Sequence, residues 1–214
     1  MTWEDECYLL YKRKFRENAN IINVFTKNRG KVSGVVYGGN SRKIKNYLQI
    51  SNKLYINHNA KNENRLGYFK TELVQPVSPL YFNDKERSSA LLSLSSILNM
   101  LLPDSQPNQN IYKSFEEFVN SINLDNWVIL YIFLELSLIK DLGYDPNLEQ
   151  FKKKKSESDF QKIKIDTFTY DVPLYLIQNK IPDNPSKNLI NASLNFTRSI
   201  IQNRFFLLFN IDGR

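Results

Sequence analysis

Between Asp5 and Val77 apolar residues fall in short runs or alternate with polar ones, the period-2 signature of strands. Tyr8-Leu9-Leu10-Tyr11 and Ile21-Ile22-Asn23-Val24-Phe25 make the first two. Asn28-Arg29-Gly30-Lys31 supplies a hairpin turn before Val32-Ser33-Gly34-Val35-Val36-Tyr37, and Gly38-Gly39-Asn40 closes that strand. Two more follow: Tyr47 to Asn57, where Leu48, Ile50, Leu54 and Ile56 alternate around an interruption at Ser51-Asn52, and Leu66 to Val74. Five strands in this space suit a small, partly open barrel of the OB type, with a β-sandwich fragment as the plainer competitor.

Beyond Pro76 and Pro79 the period changes to that of a helix. Asn83-Asp84 offers an N-cap for Lys85 to Leu102, where Leu91, Leu94, Leu98, Leu101 and Leu102 share a face and Pro103 ends the run. A second helix, Ile111 to Ile122, aligns Phe115, Phe118, Val119 and Ile122. The third, from Asp125 to a C-cap at Gly143, is apolar almost all round and belongs at the centre of a helical domain. Residues 147–183 read as an irregular insertion, with an exposed polar loop at Lys152 to Asp159 and a short hairpin, Lys162 to Val172, turning at Asp166-Thr167. Asn184 and Pro185 then supply an N-cap and first-turn proline for a last helix, Ser186 to about Phe205. An apolar end, Phe205 to Phe209, suggests docking into the helical core or a missing tail. The reading is therefore α+β and multi-domain: an N-terminal OB-fold barrel over residues 1–79, then an all-α helical domain over 80–214.

Composition narrows the chemistry. One cysteine, Cys7, and one histidine, His58, exclude an intramolecular disulfide and leave too few soft ligands for zinc, so no metal or cofactor is expected. The acidic start, Glu4-Asp5-Glu6, is unlike a signal peptide, and the apolar stretch Trp127 to Ile139 is shorter than a membrane span and contains Glu135. A cytoplasmic protein with no membrane partner is expected. The net charge of +7 is unevenly placed. Residues 1–79 hold 14 Lys and Arg against 6 Asp and Glu, whereas residues 80–214 hold 15 against 16.

The excess forms three clusters assigned to loops between strands: Lys12, Arg13, Lys14 and Arg16; Lys27, Arg29 and Lys31; Arg42, Lys43 and Lys45. Any single lysine is most simply a solvated surface residue, but three clusters in one small domain repel one another unless a polyanion screens them. Neutralising phosphates releases counterions, which makes such binding salt-dependent and indifferent to sequence. Arg13, Lys14, Arg16, Arg29, Lys31, Arg42, Lys43 and Lys45 are the expected nucleic-acid contacts. Tyr11, Phe15, Tyr37 and Tyr47 lie beside them, placed to stack on unpaired bases or to serve as core. Gly38-Gly39-Asn40-Ser41-Arg42-Lys43 lacks the Gly-Lys-Ser/Thr ending of a phosphate loop. His58 has no acid or nucleophile near it in sequence, and Glu4 to Glu6 and Glu116-Glu117 make no two-metal pattern, so no catalytic residue is assigned. Lys152 to Lys155 is either a second contact or a solvated run.

The order of these pieces resembles the bacterial recombination mediator family RecO. The likeness rests on Trp3-Glu4-Asp5-Glu6 leading the first strand, Val24-Phe25-Thr26 before Gly30-Lys31, Gly38-Gly39-Asn40-Ser41-Arg42-Lys43, Leu48-Gln49, and Leu134-Glu135-Leu136-Ser137-Leu138 before Leu142-Gly143-Tyr144. It covers residues 1–150 well and the remainder loosely. The resemblance implies an OB-fold followed by helices, binding of single- and double-stranded DNA, and annealing of complementary strands. It also implies partnership with RecR in loading RecA, and contact with the acidic tail of single-stranded-DNA-binding protein. Many members carry a four-cysteine zinc module after the Leu-Gly-Phe/Tyr segment; residues 147–159 contain no cysteine, so the zinc module is not expected. A general single-strand binder and a protein-interaction scaffold remain alternatives.

Overall fold

In the computed structural model, which describes residues 1–62, 66–152 and 158–206, the first strand β1 runs over Thr2–Phe15, well beyond its apolar centre. Both ends are held by neighbours. Thr2 to Tyr8 pairs antiparallel with β4 (Lys53–Asn59), and Cys7 to Phe15 pairs antiparallel with β2 (Ala19–Thr26). β2 pairs with β3 (Gly30–Tyr37), and β4 pairs with β5 (Gly67–Gln75). A parallel contact of Gly34 with Gly67 and Val35 with Tyr68 closes the barrel in the order β1-β2-β3-β5-β4, the expected OB-like architecture. Glycine is required at position 34, because a Cβ there would lie 2.4 Å from the Phe69 ring.

Inside the barrel Cys7, Leu9, Ile22, Val24, Val36, Leu48, Leu54, Ile56 and Phe69 form one apolar cluster. A β-bulge between Leu9 and Tyr11 interrupts the β1–β2 register. On the other edge of β1, beyond the Tyr8–Lys53 pair, the line of the β1–β4 pairing continues into the neighbouring loop: Leu9 N–H donates to the Asn52 carbonyl (3.1 Å), and Ser51 N–H donates to the Leu9 carbonyl (2.7 Å). Ser51-Asn52 is thus not a break within one long strand. Tyr47 lies in a short helix, α1 (Arg42–Tyr47), and the strand begins only at Lys53. Both loop residues are fully buried. The Ser51 hydroxyl meets that of Ser95 at 2.8 Å, and the Asn52 Oδ1 accepts from the N–H groups of Val77 (2.8 Å) and Ser78 (3.2 Å).

Ser95 belongs to α2 (Lys85–Leu101), capped by the Asp84 carboxylate accepting from Arg87 N–H. This helix belongs to the first of two compact units, Met1–Lys113; the second is Ser114–Arg214, and the division falls within α3 (Gln109–Ser121). In the first unit Tyr112 lies 5.6 Å from the Tyr8 ring and 5.4 Å from the Phe25 ring, so these outward residues of β1 and β2 are buried too.

In the second unit α4 (Trp127–Asp141) ends as its glycine predicts. Gly143 has φ +93°, its N–H reaches the Lys140 carbonyl (2.9 Å), and Tyr144 N–H reaches that of Ile139 (3.1 Å), a Schellman closure. The hairpin is β6 (Phe160–Ile165) with β7 (Phe168–Pro173), followed by α5 (Leu174–Gln178) and α6 (Lys187–Ile201). The cap of α6 is Ser186, whose hydroxyl accepts from Leu189 N–H at 3.3 Å, and not Asn184. Asn184 takes a left-handed φ of 50° and sits outside the helix with Pro185. Of the apolar end Phe205 to Phe209, residues 207–209 lie outside the described residues.

Glu135 on α4 is buried and accepts from the Thr197 hydroxyl of α6. Burial raises its pKa, against the smaller lowering effect of hydrogen bonds from Thr197 and Tyr131. The folded state therefore holds this proton more tightly than the unfolded chain. The associated stability is complete below the ordinary glutamate range and is lost as pH rises through the folded value. We expect Glu135→Gln, which keeps an acceptor for Thr197, to match the parent near pH 4 and to exceed it increasingly towards neutral pH. Urea midpoints measured across pH check this, and a constant difference would refute it.

Candidate nucleic-acid interface

The structure brings two of the three basic clusters together and sends the third away. β1 and β2 join through residues 16–18, and β3 ends at Tyr37, paired with Ala19. Gly38 then takes φ +71° and donates its N–H to the Asn18 carbonyl (2.7 Å), while the Asn40 Nδ2 donates to the Glu17 carbonyl (2.8 Å). Gly39 packs so closely that a Cβ would lie 2.4 Å from the Asn20 side-chain nitrogen. These bonds tie the loop after β3 to the β1–β2 turn. Ser41 then accepts from Ile44 N–H to start α1, so Arg42, Lys43 and Lys45 project from a helix and not from an open turn.

Lys12, Arg13 and Lys14 likewise stand on β1, with only Arg16 in the turn. The strand carries them to the end of the barrel beside α1. Lys12 reaches across to donate its Nζ to the Leu48 carbonyl at 2.6 Å. Burial, and next the charge of Lys45, lower its pKa. Arg13, Lys14 and Arg16 thus share one end of the barrel with Arg42, Lys43 and Lys45. All six are exposed.

Lys27 and Arg29 occupy the β2–β3 turn at the other end of β2, roughly 24 Å away along an eight-residue strand. The Asp5 carboxylate holds this turn through Asn28. Asp5 accepts from Asn28 through both carboxylate oxygens (2.8 and 2.9 Å), Lys27 N–H donates to the Glu6 carbonyl (3.1 Å), and the Arg29 guanidinium lies 4.8 Å over the Trp3 ring. Lys31 is committed elsewhere: its Nζ donates to the Asn99 carbonyl (2.8 Å) and pairs with Asp104 (3.2 Å), leaving 12% of the side chain exposed. Backbone follows the same contact, since Ser105 N–H donates to the Lys31 carbonyl and the chain at Gln106 packs on Gly30. Lys31 fastens the segment after α2 to the barrel.

Among the aromatic candidates Tyr11 and Tyr37 are exposed, Phe15 is half-buried beneath the Arg16 guanidinium at 5.2 Å, and Tyr47 donates its hydroxyl to the Thr71 carbonyl at 2.7 Å. Tyr68 was not singled out from the sequence, although its alternation with buried Phe69 marks it as outward-facing. It lies 6.2 Å from Tyr37. His58 stacks on Trp3 at 4.7 Å and tilts against Phe69 at 5.4 Å. Burial, and then the nearby N-terminal amine and Arg29, lower its pKa, which disfavours the charged ring. Of the Lys152 to Lys155 run, Lys152 pairs with Glu149 at 3.0 Å, and residues 153–155 lie outside the described residues.

Lys31 and Arg42 separate structural from surface charge experimentally. We expect Lys31→Ala to cost about 1–3 kcal/mol, because it removes a charged donor, itself largely buried, from the Asn99 carbonyl. Arg42→Ala should leave the urea midpoint where it was. Equal midpoints for the two variants would overturn the assignment.

Comparison with known proteins adds two family models and a set of relatives. The model described as Recombination protein O N terminal matches residues 1–77, and Recombination protein O C terminal matches residues 83–160. DNA repair protein RecO of Wolbachia sp. subsp. Drosophila simulans (strain wRi) is 36% identical over 152 residues, 70% of this chain and 62% of that protein. The proteins of the same name from Wolbachia pipientis wMel and Ehrlichia chaffeensis are 34% and 30% identical with the same coverage. The chain therefore spans a little under two thirds of the length of these relatives. A solved asparaginyl-tRNA synthetase from Entamoeba histolytica matches with a TM-score of only 0.31 at 11% identity, over 78% of this chain and 39% of that one, and has no bearing on the fold.

Proposed function

The chain belongs to the RecO family of recombination proteins, and from that membership we propose that it is a DNA-binding recombination mediator in DNA repair. The observation that carries the reading is the gathering of Arg13, Lys14 and Arg16 with Arg42, Lys43 and Lys45 at one end of the barrel. Six exposed cations held there by a hydrogen-bonded pair of loops repel one another, and the phosphates of a DNA strand relieve that repulsion. In this reading residues 1–79 grip DNA and residues 80–214 support them and recruit partners.

Annealing needs no bond to be made or broken in an active site. A basic surface holding two strands by their phosphates screens the strands from each other and leaves base edges free to pair. Family membership supports, as part of this reading, a mediator role in which RecR helps RecA onto strands coated by single-stranded-DNA-binding protein, with the protein acting at the nucleoid. No helix among the described residues is long and apolar enough to cross a membrane. In the second unit a groove between α3 and α4 is lined by Phe118, Leu130, Phe133 and Leu134 with Glu117 and three serines. Among the described residues no lysine or arginine lines it, so it is a poor match for an acidic tail.

The exposed tyrosines also suit a general single-strand binder without a mediator role, and a strand-annealing assay with and without RecR separates the two. A protein-interaction scaffold would retain no DNA at physiological salt. For the mediator we expect Arg42→Glu/Lys43→Glu to weaken binding to every DNA sequence. It should also flatten the dependence of log affinity on log salt by about 0.7–0.9 for each phosphate that is no longer neutralised. Titrations over several salt concentrations measure both, and an unchanged slope with unchanged affinity would remove these residues from the interface.

A further inference from the structure

Past the Leu9–Tyr11 bulge the outer face of the barrel changes character. Arg13 pairs with Ile21, Ile21 with Val35, and Val35 with Tyr68, so a single row crosses four strands. The next row is Phe15, Ala19 and Tyr37. Ala19, Ile21 and Val35 form an apolar floor distinct from the barrel interior, with Phe15 packed against it. Towards the other end of β2 the same outer face is covered, because Asn23 bonds to Asn99 of α2 (2.8 Å) and Phe25 meets Tyr112. Around the floor three tyrosines stay open to solvent: Tyr11 at 42%, Tyr37 at 59% and Tyr68 at 39% exposure. Tyr37 and Tyr68 stand 6.2 Å apart with their rings inclined at 57°, rising from β3 and β5 at the seam that closes the barrel. Arg13 ends the same row, Arg16 lies over Phe15 in the next, and Lys70 is two positions along β5 from Tyr68, all exposed.

An apolar floor, open aromatic faces and a cationic border together match a ligand with flat π-faces and an anionic backbone. A duplex offers its backbone but keeps its base faces stacked inside, whereas a single strand offers both. We propose that Tyr37 and Tyr68, with Tyr11 beside them, form a stacking platform for unpaired bases, through which this protein binds single-stranded DNA in preference to duplex. The proposal rests on the DNA-binding reading above. It assigns discrimination to the tyrosines and leaves phosphate attraction to the six cations at the barrel end.

The test compares three probes at one moderate salt concentration: a mixed-sequence single strand, the same strand with its central bases removed to leave abasic sites, and the corresponding duplex. Both tyrosines are exposed, so Tyr37→Ala/Tyr68→Ala should fold as the parent does, with Tyr68→Ala alone as the second variant. Affinity of the double variant for the single strand should fall roughly tenfold or more, while duplex affinity changes less than twofold. Its salt slope should match that of the parent, since every phosphate-neutralising cation is kept. The parent should bind the abasic strand more weakly by a similar factor, and the variant should bind it no more weakly than the intact strand. Tyr37→Phe/Tyr68→Phe should behave as the parent, because ring faces and not hydroxyls are used. Equal losses on single strand and duplex, no loss on either, or a double variant that still distinguishes the abasic strand would each overturn the platform. Failure of the parent itself to retain DNA would overturn the DNA-binding reading, and this one with it.

Discussion

The first unit depends on one irregularity in one strand. Up to Leu9 the odd-numbered residues of β1 face the barrel interior, as Cys7 and Leu9 do beside Val24. The bulge between Leu9 and Tyr11 inserts a residue, and the sense of every later side chain reverses. Without it Tyr11, Arg13 and Phe15 would point into the apolar interior, where an arginine cannot be solvated. With it they stand on the outer face, and Lys12 turns inward at the rim to bond the Leu48 carbonyl. The loop at Ser51-Asn52 bonds the other edge of β1 at Leu9, continuing the line of the β1–β4 pairing, and its buried Ser51 and Asn52 side chains are satisfied by Ser95, Val77 and Ser78.

That geometry sorts the basic residues into different kinds of work. Lys31 is spent on the Asn99 carbonyl and Asp104, Arg29 on an aromatic face, and Lys27 lies at the far turn with its N–H on the Glu6 carbonyl. The remaining cations gather where two loops are bonded together, and the lowered pKa of Lys12 has burial as its first cause and the nearby charge of Lys45 as its second. A cluster of this kind holds electrostatic energy that an approaching polyanion releases, so the same arrangement that weakens the isolated domain favours the bound one.

In the second unit several buried polar groups are bonded between helices. Tyr175 donates its hydroxyl to Ser193 at 2.6 Å, Ser193 donates to the Leu189 carbonyl at 2.7 Å, and Thr197 donates to Glu135, so α5 and α4 are each bonded to α6 by side chains that an all-apolar interface would lack. Apolar contacts such as Tyr170 against Phe196 at 5.4 Å complete the packing of the hairpin on α6. Polar bonds of this kind add direction to an apolar interface that has little preference of its own.

Alternating apolar residues, turn glycines and helix caps were sufficient to place five strands, the helix at Lys85, the Gly143 terminus and the hairpin at Asp166, because each is a local preference of neighbouring residues. The excess of positive charge in residues 1–79 was equally plain. Local pattern did not show that Lys12 to Lys14 extend a strand, since charged residues carry no strand signal when their pairing partner is distant in the chain. It did not show the short helix at Arg42 or the buried role of Ser51-Asn52, which answer to hydrogen bonds with Ile44, Leu9, Ser95 and Val77. Nor did it separate Lys31 from Arg42. By itself the sequence determined that this is a basic barrel followed by helices; which cations meet, and which tyrosines face water, was decided by a one-residue bulge and by the closure of β3 on β5, because side-chain direction in a sheet depends on register and register is a property of paired strands.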